Sequence, residues 1–127
     1  LLSLDIDGND YWVWQAMTII RPRVICIEYN ALFPPPISVV RPYDPEFIWD
    51  GTNHYGASLA ALEKLGNAKG YELVGCNFSG ANAFFVLEEY KQYFSGPHTA
   101  TEHYEPVRYY GALMSGHKSK IGRYDRV

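Results

Sequence analysis

The sequence predicts an α/β fold with two parallel strands, an antiparallel hairpin and helices on the faces, and three observations lead there. Residues 1–7 and 24–29 are short apolar runs without clean alternation, as strands of a covered parallel sheet are. A helix-length segment joins them, which makes a right-handed βαβ unit. Residues 71–77 and 83–88 are two further runs separated by a turn of hairpin length.

The first strand breaks at Asp7-Gly8-Asn9-Asp10, where glycine permits a sharp turn and Asn9 or Asp10 caps a helix. That helix is predicted over 11–20, with Val13, Met17 and Ile20 recurring at spacings of four and three beside Trp14, and Arg21-Pro22 stopping it. The β-branched run Val24-Ile25-Cys26-Ile27-Glu28-Tyr29 is the second strand. Residues 31–57 form a long proline-rich, aromatic loop, of a length that is usually functional. Asp44-Pro45 has the cap and first-turn chemistry of a short helix inside it. Ser58 caps an amphipathic helix carrying Leu59, Leu62 and Leu65 on one stripe, with Gly66 and Gly70 near its end. The hairpin follows, its turn covering Asn77-Phe78-Ser79, which also spells a glycosylation sequon. After Tyr90 the periodicity fails. Residues 91–127, including Tyr104, Tyr109 and Tyr110, read as an irregular, basic, aromatic tail that packs on something else.

At 127 residues, 47% hydrophobic and 20% charged, the chain has the composition of one globular core. A core of that size needs neither disulfides nor a structural metal. Cys26 and Cys76 lie within apolar runs and read as buried free thiols, which points to a reducing, intracellular setting, cytoplasmic or organellar. A net charge of -3 argues against nucleic-acid binding, and no apolar run is long enough for a membrane span. The charge is unevenly spread: residues 1–90 carry five basic and eleven acidic side chains, and residues 91–127 six basic and three acidic. The expected divisions are a 1–90 α/β unit and a 91–127 tail.

The element order, together with Leu4-Asp5-Ile6-Asp7-Gly8-Asn9-Asp10, resembles the segment ending the fourth strand of FkbM-type, class I S-adenosylmethionine-dependent methyltransferases. Ile27-Glu28-Tyr29-Asn30 with the following prolines, Trp49-Asp50-Gly51-Thr52 and Gly56-Ala57-Ser58-Leu59 resemble FkbM-like proteins too, over roughly residues 1–90. The resemblance implies the C-terminal half of a Rossmann-like methyltransferase sheet. It implies S-adenosylmethionine as cofactor, with Asp5, Gly8 and Asn9 on its side, and a small-molecule acceptor near Asn30, Trp49 and Asp50. The family's glycine-rich cofactor loop is absent from this sequence. The start of the chain directly in a strand is therefore read as a cut: the other half belongs to the same polypeptide or to a partner protein at the edge of the first strand, and the chain expressed alone is expected to self-associate.

Ligands of open α/β sheets gather beyond the carboxyl ends of the strands, here Asp5, Asp7, Asn9 and Asp10 after one strand and Glu28 and Asn30 after the next. Asp7 and Glu28 are the candidate catalytic bases. Asp7, Glu28 and Asn30 are the candidate ligands for Mg²⁺ or another hard divalent ion. In the plainer reading Asp7 and Asn9 shape the turn, Asp10 caps the helix and Glu28 pairs with a nearby base. Phe33, Tyr43 and Trp49 either close over a substrate or pack on the chain's own core. The four histidines make no metal set. Two function classes follow: a methyltransferase domain, or a non-catalytic methyltransferase-like subunit docking in a larger assembly.

Overall fold

The computed structural model describes residues 1–108 and 117–127; the predicted tail residues Tyr109 and Tyr110 lie outside them. Four strands, β1 (Leu2–Leu4), β2 (Val24–Glu28), β4 (Tyr71–Cys76) and β5 (Asn82–Leu87), form one mixed sheet in the order β1-β2-β5-β4. β1 and β2 are parallel, with Leu2 opposite Ile25 and Leu4 opposite Ile27. β5 runs antiparallel to both β2 and β4, so the hairpin extends the parallel pair through its second strand. Its turn is held by Asn77, whose side-chain oxygen accepts from the amides of Ala81 and Asn82. One register shift, between Leu73 and Gly75, interrupts the β4–β5 ladder.

Helices α1 (Asp10–Ala16) and α2 (Leu59–Ala68) pack on the same face of the sheet rather than on both. Trp14 of α1 is fully buried against Tyr71 and Phe85, and Gly66 of α2 lets the rings of Phe85 and Trp14 close in, since a Cβ there would stand 2.9 Å from Phe85. Ser58 caps α2 as its sequence requires, accepting from Ala61 N–H while also taking Val39 N–H. The first helix departs from the reading. It ends at Ala16 instead of residue 20, and its buried stripe is Tyr11 and Trp14, with Val13 exposed and Ile19 and Ile20 in solvent. Thr18-Ile19-Ile20 is a β-branched run that resists helix, and the Lys69 ammonium collects the carbonyls of Gln15 and Met17 at the break.

The 31–57 loop holds no helix at Asp44-Pro45. Only a turn forms there, Phe47 N–H donating to Asp44 C=O. The loop does contain β3 (Val39–Val40), which pairs antiparallel with β6 (Asp125–Arg126), so the tail is neither structureless nor detached. It also forms a 3-10 turn over Glu88–Tyr93 and a short helix, α3 (Ala100–His103). Tyrosines fasten it: Tyr104 Oη donates to Ala31 C=O, Tyr29 Oη donates to Glu105 C=O, and the ring of Tyr124 packs edge-on against Phe33. Both cysteines are free but only half-buried, because Cys26 faces away from the helices and Cys76 closes β4 at the sheet's edge. No helix among the described residues is long and apolar enough to cross a membrane.

Candidate functional site

The parallel pairing of β1 and β2 brings their carboxyl ends side by side, and one step beyond the Leu4–Ile27 pair stand Asp5 and Glu28. After Asp5 the chain must turn sharply to enter α1. Asp7 adopts the left-handed conformation, φ 60°, that aspartate tolerates better than most residues. Asp10 anchors the turn from inside, its carboxylate accepting from the amides of Ile6 and Gly8 at 3.0 Å each. It is thus a turn anchor, where the sequence offered a helix cap; Asn9 holds the cap position without a capping bond from its side chain.

One carboxylate oxygen from each of Asp5, Asp7 and Glu28 falls within 4.8 Å of the other two. None of the three forms an ion pair with a base among the described residues, so the plainer reading of Glu28 as half of a salt bridge does not hold. The electrostatic consequence falls on Glu28. Burial, and after it the charges of Asp5, Asp10 and Asp7, push its carboxyl up to about 8. At neutral pH it therefore retains a proton until a cation or a stronger acceptor displaces it.

The remaining predicted residues are placed elsewhere or committed to other work. Asn30 is buried, and its amide nitrogen donates to the carbonyls of Asn53 and Tyr55 at 2.9 Å while its oxygen accepts from Leu32 N–H. It ties the long loop to the end of β2. Asn9 is closed onto the backbone of Asp44, donating to its carbonyl at 2.8 Å. Gly8 faces the ring of Phe47, which a Cβ would meet at 2.3 Å, so the space beside it is filled by an aromatic side chain. Phe47 is in turn covered by the Arg41 guanidinium, 3.5 Å from its ring centre. Trp49 and Asp50 turn toward the tail: Trp49 stacks edge-on with His117 and Asp50 pairs with Lys120, which together with Thr52 draws its carboxyl well below the usual range. Phe33 packs on Tyr124, the core-packing alternative for that side chain. His98 and His103 stack on each other at 6.4 Å, in keeping with a packing role.

Sequence reasoning set Asp5 among the polar groups at the strand ends but gave it to the cofactor and named Asn30 as the third ion ligand; the register that puts Asp5 beside Glu28 is what exchanges the two. No family model, curated protein or solved structure matches the chain.

Proposed function

We propose that the chain is the acceptor-side, C-terminal half of an FkbM-like S-adenosylmethionine-dependent methyltransferase, with Asp7 and Glu28 where a small-molecule acceptor loses its proton. The observation that carries this is the group of three carboxylates without a base, at the carboxyl ends of adjacent parallel strands, where open α/β sheets bind their ligands. The mixed sheet, a parallel pair continued by an antiparallel hairpin, supports the same half-sheet reading. Methyl transfer asks the protein for an aligned acceptor that has lost its proton, and Glu28 takes that proton in its ionised form, whose share grows as pH rises toward about 8. The oxygen donors of Asp5, Asp7 and Glu28 suit Mg²⁺ or a similar hard divalent ion, which would supply charge to hold an acceptor oxygen as its anion.

The methyl donor itself does not fit the residues first assigned to it, because Phe47 fills the space beside Gly8 and Asn9 is spent on Asp44. Donor binding is assigned instead to a segment or partner protein joined at the β1 edge, in an intracellular setting. A specific observation favours the second reading, a non-catalytic subunit: Trp49 and Asp50 are occupied by the tail rather than facing the carboxylates.

Calorimetric titration of the full-length, natively assembled protein with S-adenosylmethionine, followed by transfer of the labelled methyl group to hydroxyl-bearing small molecules, tests the reading. Expected are donor binding that survives Glu28→Gln and a transfer rate that falls ~10²-fold or more in that variant. Absence of binding heat, or transfer unchanged by Glu28→Gln, overturns it; no heat together with a tight protein partner leaves the subunit.

A further inference from the structure

His98 and His103 stand just before and at the end of α3, the short helix by which the tail packs on α2 and β4. Ala100 is buried beneath it, and Thr99 caps it by accepting from Glu102 N–H. The two imidazoles stack with their ring centres 6.4 Å apart and their planes 21° from parallel. Nδ1 of His98 and Nε2 of His103 are both buried, and neither has a hydrogen-bond partner among the described residues. A neutral imidazole carries hydrogen on one nitrogen alone, so each of these atoms can remain bare. An imidazolium carries hydrogen on both. Protonating either ring would therefore put an N–H in a buried position without an acceptor, and protonating both would stack two cations.

We propose that the stacked pair of His98 and His103 is a proton-sensitive clasp, closed while both rings are neutral and releasing α3 and the tail residues after it when acid charges them. What it holds follows at once in the chain. Tyr104 Oη donates to Ala31 C=O and Tyr29 Oη donates to Glu105 C=O, so opening parts two hydroxyl tethers between the tail and the end of β2. It also uncovers Cys76 further, whose thiol hydrogen-bonds the Tyr29 hydroxyl and is pushed up to about 12 by burial. The groups around His103 oppose one another. Burial, and after it His98, lower its affinity for a proton; the Pro97 carbonyl, Glu102 on its own helix and Glu63 on α2 raise it, and the lowering prevails. From β4 comes the Cys76 thiol, uncharged at neutral pH, while Glu72 of the same strand pairs with Lys91. Below the ordinary imidazole value of 6.5 the open segment takes up protons that the closed one refuses, so closure is at full strength above 6.5 and weakens as pH falls beneath it. The clasp acts on the tail, and the inference stands whether or not the chain transfers methyl groups.

Amide hydrogen exchange of the full chain, corrected for the intrinsic effect of pH, tests it. His103 N–H is tied to Thr99 C=O and Tyr104 N–H to Ala100 C=O, so the protection of these two amides reports the opening of α3. Between about pH 7.5 and about pH 5 that protection should fall ~5-fold or more, while amides inside α2 keep theirs. With His98→Gln and His103→Gln combined, the dependence on pH should vanish. Should that variant be open already at the higher pH, Glu63→Gln decides: losing a carboxylate that favours the imidazolium should deepen the fall at the lower pH and leave protection at the higher pH unchanged. Protection that stays level across the range, a fall shared equally by α2, a fall as large in the double variant, or no effect of Glu63→Gln would each overturn the proposal.

Discussion

Glu28 is the residue at which burial and charge are most at odds, and its cost to stability has a sign that can be worked out. Its carboxyl ordinarily titrates at 4.5 and is pushed to about 8 in the fold. Between those values the folded chain holds a proton that the unfolded chain has released, so stability falls as pH rises through that window. Glu28→Gln, which removes the titration, should match the parent near pH 4 and exceed it above pH 8 by ~1–3 kcal/mol, after allowance for solvent screening. Chemical denaturation followed by circular dichroism at the two pH values measures this. A pH-independent difference would mean that neither burial nor the neighbouring carboxylates raise the Glu28 carboxyl. Asp7 and Glu28 were legible in the sequence because each lies at the carboxyl end of its own apolar run, and parallel strands bring those ends together; Asp5 is level with Glu28, and Asp7 lies two residues further on. Asn30 shares that offset and still serves another purpose. Which of several backbone carbonyls an amide meets is decided by a loop returning from 25 positions away, information no local pattern holds.

The elements show the same division. β1, β2 and the hairpin could be read because each is a compact apolar run bounded by turn residues, and α2 because Ser58 and three leucines mark its start and face. α1 was read too long because Val13, Met17 and Ile20 imitate a helical stripe; what ends it, the β-branched run and the Lys69 ammonium, acts partly from 52 positions away. β3 and β6, two residues each, have no periodicity to detect. Within α2, Gly66 separates propensity from packing. Alanine would gain ~1 kcal/mol of helix propensity. Its Cβ would, however, meet Phe85 at 2.9 Å and Trp14 at 3.1 Å, both buried rings. Overpacking should win, so Gly66→Ala is expected to destabilise by ~1–3 kcal/mol net. Gly75→Ala in β4, where a Cβ meets nothing within 4 Å, should change little. Urea midpoints of the two variants decide it; a stabilised Gly66→Ala would show that the rings yield.

Across the whole molecule, the negative body and positive tail offered an electrostatic reason for the tail to fold back. The ion pairs that join them, Lys91 with Glu72 and Glu88 and Lys120 with Asp50, are at least partly exposed, and such pairs contribute ~0–1 kcal/mol. Phenol hydroxyls make the firmer attachments: Tyr104 Oη donates to Ala31 C=O at 2.5 Å, and Tyr29 Oη to Glu105 C=O at 2.6 Å. Tyr104→Phe should accordingly cost ~1 kcal/mol or more by stranding a carbonyl. Lys120→Ala should cost less than half of that, and thermal unfolding of the pair of variants ranks them; the reverse order would make charge the tail's main tether. The β3–β6 ladder carries a consequence for synthesis. Its flanking bond joins Ser38 to Val127, 89 positions along the chain, whereas β1 and β2 can pair as soon as residue 28 emerges. At ~5–20 residues per second a ribosome needs roughly 4–18 s to make that stretch. During this interval the proline-rich loop waits beside a growing sheet with Phe33 lacking its partner Tyr124, and that interval is when a chaperone would find the nascent chain.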